Sequence, residues 1–168
     1  MKCHVCGKRM KKTRCNYPYE ESGLSGVVLG EMVVYVCPAC GEEEVEIPVI
    51  ECLHQAIADV LIQQNTPLSG PEIRFLRKEM RFKANVFASI LRVNKVTLSK
   101  WENDVIKPSS AYDSLIRLFY LRFREEQTGK FRTGFKFEEI LQRVSGERKP
   151  EPILIPREKW EECTGRRC

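Results

Sequence analysis

Cysteines 3, 6, 37 and 40 fall in two copies of one short pattern, Cys3-His4-Val5-Cys6-Gly7 and Cys37-Pro38-Ala39-Cys40-Gly41. A single tight turn can aim two sulfurs at one point, and a tetrahedral metal ion takes four, so two such turns make one site. The glycine after each second cysteine permits a left-handed residue that turns backbone N–H groups back toward sulfur. The pattern predicts one structural Zn²⁺ per chain, held by Cys3, Cys6, Cys37 and Cys40. The 30 residues between Cys6 and Cys37 exceed the loop of a short finger and suit a zinc-ribbon-like module with strands between its knuckles. A dithiol redox site is the alternative chemistry for Cys-x-x-Cys. That site expects one motif in a βαβ setting, whereas this chain has two motifs and the first begins at residue 3. Four thiolates on Zn²⁺ carry net negative charge, which Lys2, Lys8, Arg9, Lys11 and Lys12 would offset.

At 168 residues and 42% hydrophobic content the chain can hold one ordinary domain or two small ones, and the metal pattern favours two. Metal binding supplies stability that about fifty residues of apolar burial cannot. Eight cysteines with no apolar leader before the first knuckle predict a reducing, cytoplasmic setting. No stretch reaches transmembrane length, so no membrane partner is expected. Charge is unevenly spread. Residues 1–66 carry six basic and nine acidic side chains, residues 67–127 twelve and seven, and residues 128–168 ten and seven. The positive excess lies behind the zinc module, where it fits a nucleic-acid surface or a solvated helical face equally well.

Between the knuckles, Tyr17-Pro18-Tyr19 reads as extended, and Val27-Val28-Leu29 and Met32 to Val36 as strands separated by Gly30-Glu31. Glu42 to Ile47 reads as a further strand ended by Pro48. Leu53, Ile57, Val60 and Leu61 recur at helical spacing, predicting an amphipathic connecting helix from Glu51 to Gln64. Asn65 to Pro71 is a linker rich in turn formers. The fold class expected is α+β: a zinc-binding β module over 1–48, a connecting helix and linker over 49–69, an all-α domain over 70–124 and a C-terminal extension over 125–168.

From Ser69-Gly70-Pro71-Glu72 the pattern is helical. Ile73, Leu76 and Met80 mark a first stripe, and Val86, Phe87, Ile90 and Leu91 a second. Asn94 caps a third helix that turns Leu98 and Trp101 inward and ends at Asn103-Asp104. A fourth opens after Lys107-Pro108-Ser109-Ser110 and is expected to bury Leu115, Leu118 and Phe119. Two short helices joined by a tight turn, with small Ala88 where they cross, hold a recognition helix proud of the surface.

Leu76 to Met80 through Val93 to Asn103 resembles the helix-turn-helix of the Cro/phage-repressor group, over residues 71 to about 121. The resemblance implies that Lys95, Val96, Thr97 and Lys100 face the DNA major groove, with Asn94 at the helix start. It also implies an internal salt bridge between Arg77 and Glu102. Lys100 suits guanine O6 and N7, Val96 a thymine methyl, and Asn94 a phosphate or adenine. Where the family commonly has Gly in the turn this chain has Arg92, which predicts strain or a phosphate contact. Where it often has Gln the chain has Ala84, leaving Lys83 as the phosphate contact.

The zinc module, Tyr17 to Leu24 and Ile73 to Lys78 together resemble the MqsA family of antitoxins, also called YgiT-type zinc finger proteins, over residues 1–121. That resemblance implies a type II toxin-antitoxin function: a homodimeric repressor on a palindromic operator in its own double-stranded DNA promoter, whose zinc module binds a small basic toxin. A stand-alone zinc-containing regulator without a toxin is the alternative. Cys15 and Cys52 lack partners at ligand spacing and read as small half-buried side chains. His4 and His54 are not needed where four cysteines saturate zinc. No nucleophile set, phosphate-cradling loop or spaced carboxylate pair stands out, so no enzyme is expected. In the tail, Phe137, Ile140, Leu141 and Val144 suggest one short helix, and Pro150 to Pro156 an extended piece.

Overall fold

A computed structural model describes residues 1–129, Ile140 and residues 152–161. The basic flank of the first knuckle itself becomes a strand. β1 spans Lys11–Pro18 and pairs antiparallel with β2, Val27–Val36, from Lys11 opposite Val36 to Pro18 opposite Val28. The two strands expected on either side of Gly30-Glu31 are one strand with a bulge. The register slips between Cys15 and Tyr17, Glu31 takes a left-handed φ of 53°, and its N–H donates to Asn16 Oδ1 at 3.3 Å. A bulge adds twist without ending a strand, so the glycine marks a kink and not a boundary. β3, Glu43–Val45, adds antiparallel to the far end of β2 and is shorter than expected. The connecting helix α1, Ile50–Gln63, buries Leu53, Ile57 and Leu61 completely.

Four helices follow: α2 (Gly70–Glu79), α3 (Ala84–Ile90), α4 (Lys95–Glu102) and α5 (Ser110–Thr128). The start of α2 is fixed as Ser69-x-x-Glu72 predicts, with the Ser69 N–H donating to the buried Glu72 carboxylate at 2.7 Å. Ile73, Leu76, Met80, Phe87, Leu91, Leu98 and Trp101 all point inward, and Ala88 is buried between α3 and its neighbours. Val86 and Ile90 stay 42% and 39% exposed, so the second stripe is narrower than its composition suggests. On α5 the inward face is Asp113, Ile116, Arg117 and Tyr120, while Leu115 is 43% exposed. Of the other two residues expected inward, Leu118 and Phe119 are half-buried and Phe119 packs against Phe82 and Phe87, so the face is shifted to centre on an arginine.

Arg117 is 1% exposed. Its guanidinium donates to Asp113 Oδ1 (2.6 Å) and to the carbonyls of Leu61, Ile62, Gln64 and Thr66 at 2.7–3.1 Å. Those carbonyls are the unsatisfied end of α1 and the start of the linker, which the side chain caps from inside. Asp113 also accepts the Leu68 N–H at 2.6 Å. The expected linker is thus pinned to α5.

The described end of the C-terminal extension packs onto the sheet and α1. β4, Ile153–Ile155, lies parallel to Val27–Leu29 of β2, and the helical turn Glu158–Glu161 packs on α1. Ile155 and Trp160 are fully buried there. Ile140 is buried at 2%, while Phe137, Leu141 and Val144 lie outside the described residues. One apolar core runs from Tyr19 and Leu29 of the sheet through α1 to Phe87, Leu98 and Tyr120 of the helices. A second, small cluster of Cys3, Met10 and Cys37 sits at the knuckles.

Candidate metal centre and nucleic-acid interface

The two knuckles have matching backbones. Gly7 (φ 71°) and Gly41 (φ 77°) are left-handed, and their N–H groups donate to the carbonyls of Cys3 and Cys37 at 2.9 Å. The Cys3 N–H reaches the Lys8 carbonyl at 2.9 Å and the Cys37 N–H that of Glu42 at 2.8 Å. These turns are joined by the long sheet, so Cys3 Sγ lies 3.6 Å from Cys40 Sγ and Cys6 Sγ lies 3.4 Å from Cys37 Sγ. All four sulfurs fall within 4.8 Å of one another, close enough to hold one metal ion. For ligands about 2.3 Å from a tetrahedral centre, sulfurs should stand a little under 4 Å apart, and the Cys3–Cys40 and Cys6–Cys37 pairs, at 3.6 and 3.4 Å, come near that spacing. The donor set therefore fits a soft, four-coordinate ion.

The knuckle amides also tune the thiols. N–H groups of Ala39 and Cys40 aimed at Cys37 hold it down at about 6. On Cys40 the Glu42 N–H acts downward, but the neighbouring Cys37 and burial outweigh it and push the thiol up to about 12. Cys6 is raised in the same way against the Lys8 N–H, by its hydrogen bond with Cys37 and by burial. One cluster thus shares protons unevenly among its sulfurs. His4 is not a ligand. Its Nδ1–H donates to Glu44 at 2.7 Å, tying the first knuckle to β3, and that hydrogen bond raises its pKa.

His54, given no role by the sequence, joins both halves of the chain. Its Nδ1–H donates to Glu79 of α2 at 2.8 Å, which leaves Nε2 to accept from Tyr19 OH at 2.9 Å. Burial, with Glu21 and Glu79 nearby, pushes the Tyr19 phenol up to about 12. Neither Cys15 nor Cys52 is the half-buried side chain expected: Cys15 is exposed on β1, and Cys52 is buried and disulfide-bonded.

At the other end of the molecule α4 is presented on a fixed frame. Asn94 caps it by accepting the Val96 N–H at 2.8 Å. Arg77 forks onto Glu102, with Nε to Oε1 at 2.6 Å and Nη2 to Oε2 at 2.9 Å, and Nη1 reaches the Phe82 carbonyl at 2.9 Å. The salt bridge implied for Arg77 and Glu102 is present, and Arg74 Nε adds a longer contact to the same carboxylate at 3.4 Å. Gly70 lets the start of α2 touch the end of α4: a Cβ there would lie 2.7 Å from the Glu102 carbonyl carbon and 2.8 Å from the Asp104 nitrogen. With α4 so held, Asn94, Lys95, Val96 and Lys100 are exposed and Thr97 is half-buried, and Lys83 and Arg92 are exposed as well. Arg92 occupies the turn at φ 55°, the left-handed conformation that favours glycine. Comparison with protein families, curated proteins and solved structures gives no match to this chain. No helix among the described residues is long and apolar enough to cross a membrane.

Proposed function

We propose that this protein is a sequence-specific double-stranded DNA-binding repressor, with α3 and α4 forming a helix-turn-helix and α4 reading the major groove. One observation carries the reading: the Asn94-capped α4 projects Lys95, Val96 and Lys100 into solvent while Arg77, Glu102 and Gly70 fix its base. Lys100 reads guanine, and Lys83 and Arg92 contact phosphates. The bound ion is one structural Zn²⁺. The chain acts as a homodimer on a palindromic operator; exposed Val105, Ile106 and Leu115 supply apolar surface beside the recognition helix for that contact. The resemblance to MqsA-type antitoxins extends the reading to autoregulation of an operon and to a basic toxin bound by residues 1–66.

Binding of the purified chain to its own promoter tests this. Lys100→Ala should cost about 1–3 kcal/mol at one base position, whereas Lys83→Ala should weaken all sequences alike and flatten the salt dependence. Unchanged affinity and base preference in Lys100→Ala would remove α4 as the reader. Co-expression with the neighbouring gene separates antitoxin from stand-alone regulator: absence of both rescue and a complex favours the latter.

A further inference from the structure

All six Lys and Arg residues of the first 66 fall between Lys2 and Arg14, and all nine Asp and Glu residues of that stretch fall from Glu20 onward. The sheet converts this division of sequence into a division of space. Strand order β1-β2-β3 sets the basic strand at one margin and Glu43–Val45 at the other, where the apolar β4 takes the opposite end of β2. Among the described residues β1 is bare: Lys11 to Asn16 are all exposed, no described helix covers either face, and its outer edge pairs with no described strand. Among those residues none of Lys2, Lys8, Arg9, Lys11, Lys12 and Arg14 forms an ion pair. At the opposite margin Glu43 and Glu46 are exposed, while Glu44 is engaged by His4.

An unpaired strand edge is a template for another strand. Here the charges restrict which one. Two β1 edges would set lysine and arginine against their own kind, and two β3 edges glutamate against glutamate. Only β1 against β3 brings opposite signs together. Both strands run antiparallel to β2 and so point the same way, which lets a second copy add its β1 parallel to β3 without inversion. We propose that the two margins form a self-docking surface, the β1 edge of one copy receiving the β3 edge of a second copy and extending the sheet between them. The contact is heterologous: each addition leaves one basic and one acidic margin open, so it propagates. With only three residues in β3, it is short, weak and screened by salt.

Sedimentation of the full-length, metal-loaded chain over a concentration series tests it, at low salt and at about 1 M salt, where screening acts within about 3 Å. Low salt should give species that grow with concentration beyond a dimer, and high salt should disperse them. Lys12→Glu/Arg14→Glu takes strand β1 from +3 to −1, and Glu43→Lys/Glu46→Lys takes residues 43–46 from −3 to +1, so that the two docking strands carry the same sign in each variant. Each variant alone should stay at the high-salt size, and an equimolar mixture should associate again. A wild-type chain whose size does not grow at low salt, a mixture no larger than its components, or a Lys12→Glu/Arg14→Glu chain that associates like wild type would each overturn the proposal. Loss of affinity for a random DNA duplex in that variant, with self-association unchanged, would also overturn it and make β1 a phosphate-binding surface.

Discussion

Gly70 illustrates how one hydrogen in place of a methyl group sets the position of a helix. The residue is not left-handed, so its value is not conformational freedom; it is the space that lets Ser69-Gly70 lie against the end of α4, with the Gly70 N–H donating to Asp104 Oδ1 at 2.7 Å. The obstacles to a Cβ are backbone atoms, which cannot swing aside. Gly70→Ala is therefore expected to lower stability by about 1–3 kcal/mol, the usual cost of overpacking, even though alanine is the better helix former. Urea denaturation checks this. A gain in stability would mean that the contact relaxes freely.

At the scale of elements, the knuckles and the strand core are separate structures. The small cluster of Cys3, Met10 and Cys37 depends on four ligands, whereas β2 from Val27 to Val34, α1 and the helices share the large core. Stripping the metal is expected to unfold residues 1–10 and 37–42 and leave α1 to α5 formed, with hydrogen exchange as the readout. Collapse of the whole chain would contradict this division. Metal retention should also fall with pH, because bound thiols must be thiolates. With Cys40 at about 12 and Cys37 at about 6, the loss should steepen below about pH 6, where Cys37 takes up its proton too. Chelator competition across pH measures it. The ligand set was legible because Cys-x-x-Cys-Gly fixes its own turn, and the helix starts because Ser69-x-x-Glu72 and Asn94 carry their hydrogen bonds locally. The β1 strand was not: Lys11 to Asn16 lacks any apolar alternation, and its pairing depends wholly on β2. Likewise, nothing local in a Glu, a His and a Tyr announces that Glu79, His54 and Tyr19 meet.

Across the whole molecule the two ends of the chain share one sheet. β4 is separated from α5 by more than twenty residues and still returns to β2, with Trp160 buried against α1 and its Nε1 without a hydrogen-bond partner among the described residues. Such an anchor contributes through apolar area alone. Trp160→Ala should cost about 3–5 kcal/mol and loosen the sheet while leaving α4 intact, measured by denaturation alongside promoter binding. Equal loss of both would tie the C-terminus to α4 directly. The buried Arg117 has a wider consequence. A joint between the cysteine cluster and α4 would have to loosen the end of α1, and this side chain holds four carbonyls there, those of Leu61, Ile62, Gln64 and Thr66. The chain is built like a caliper with its pivot welded: the jaw that carries the four clustered cysteines keeps one bearing and one distance from the jaw that carries α4.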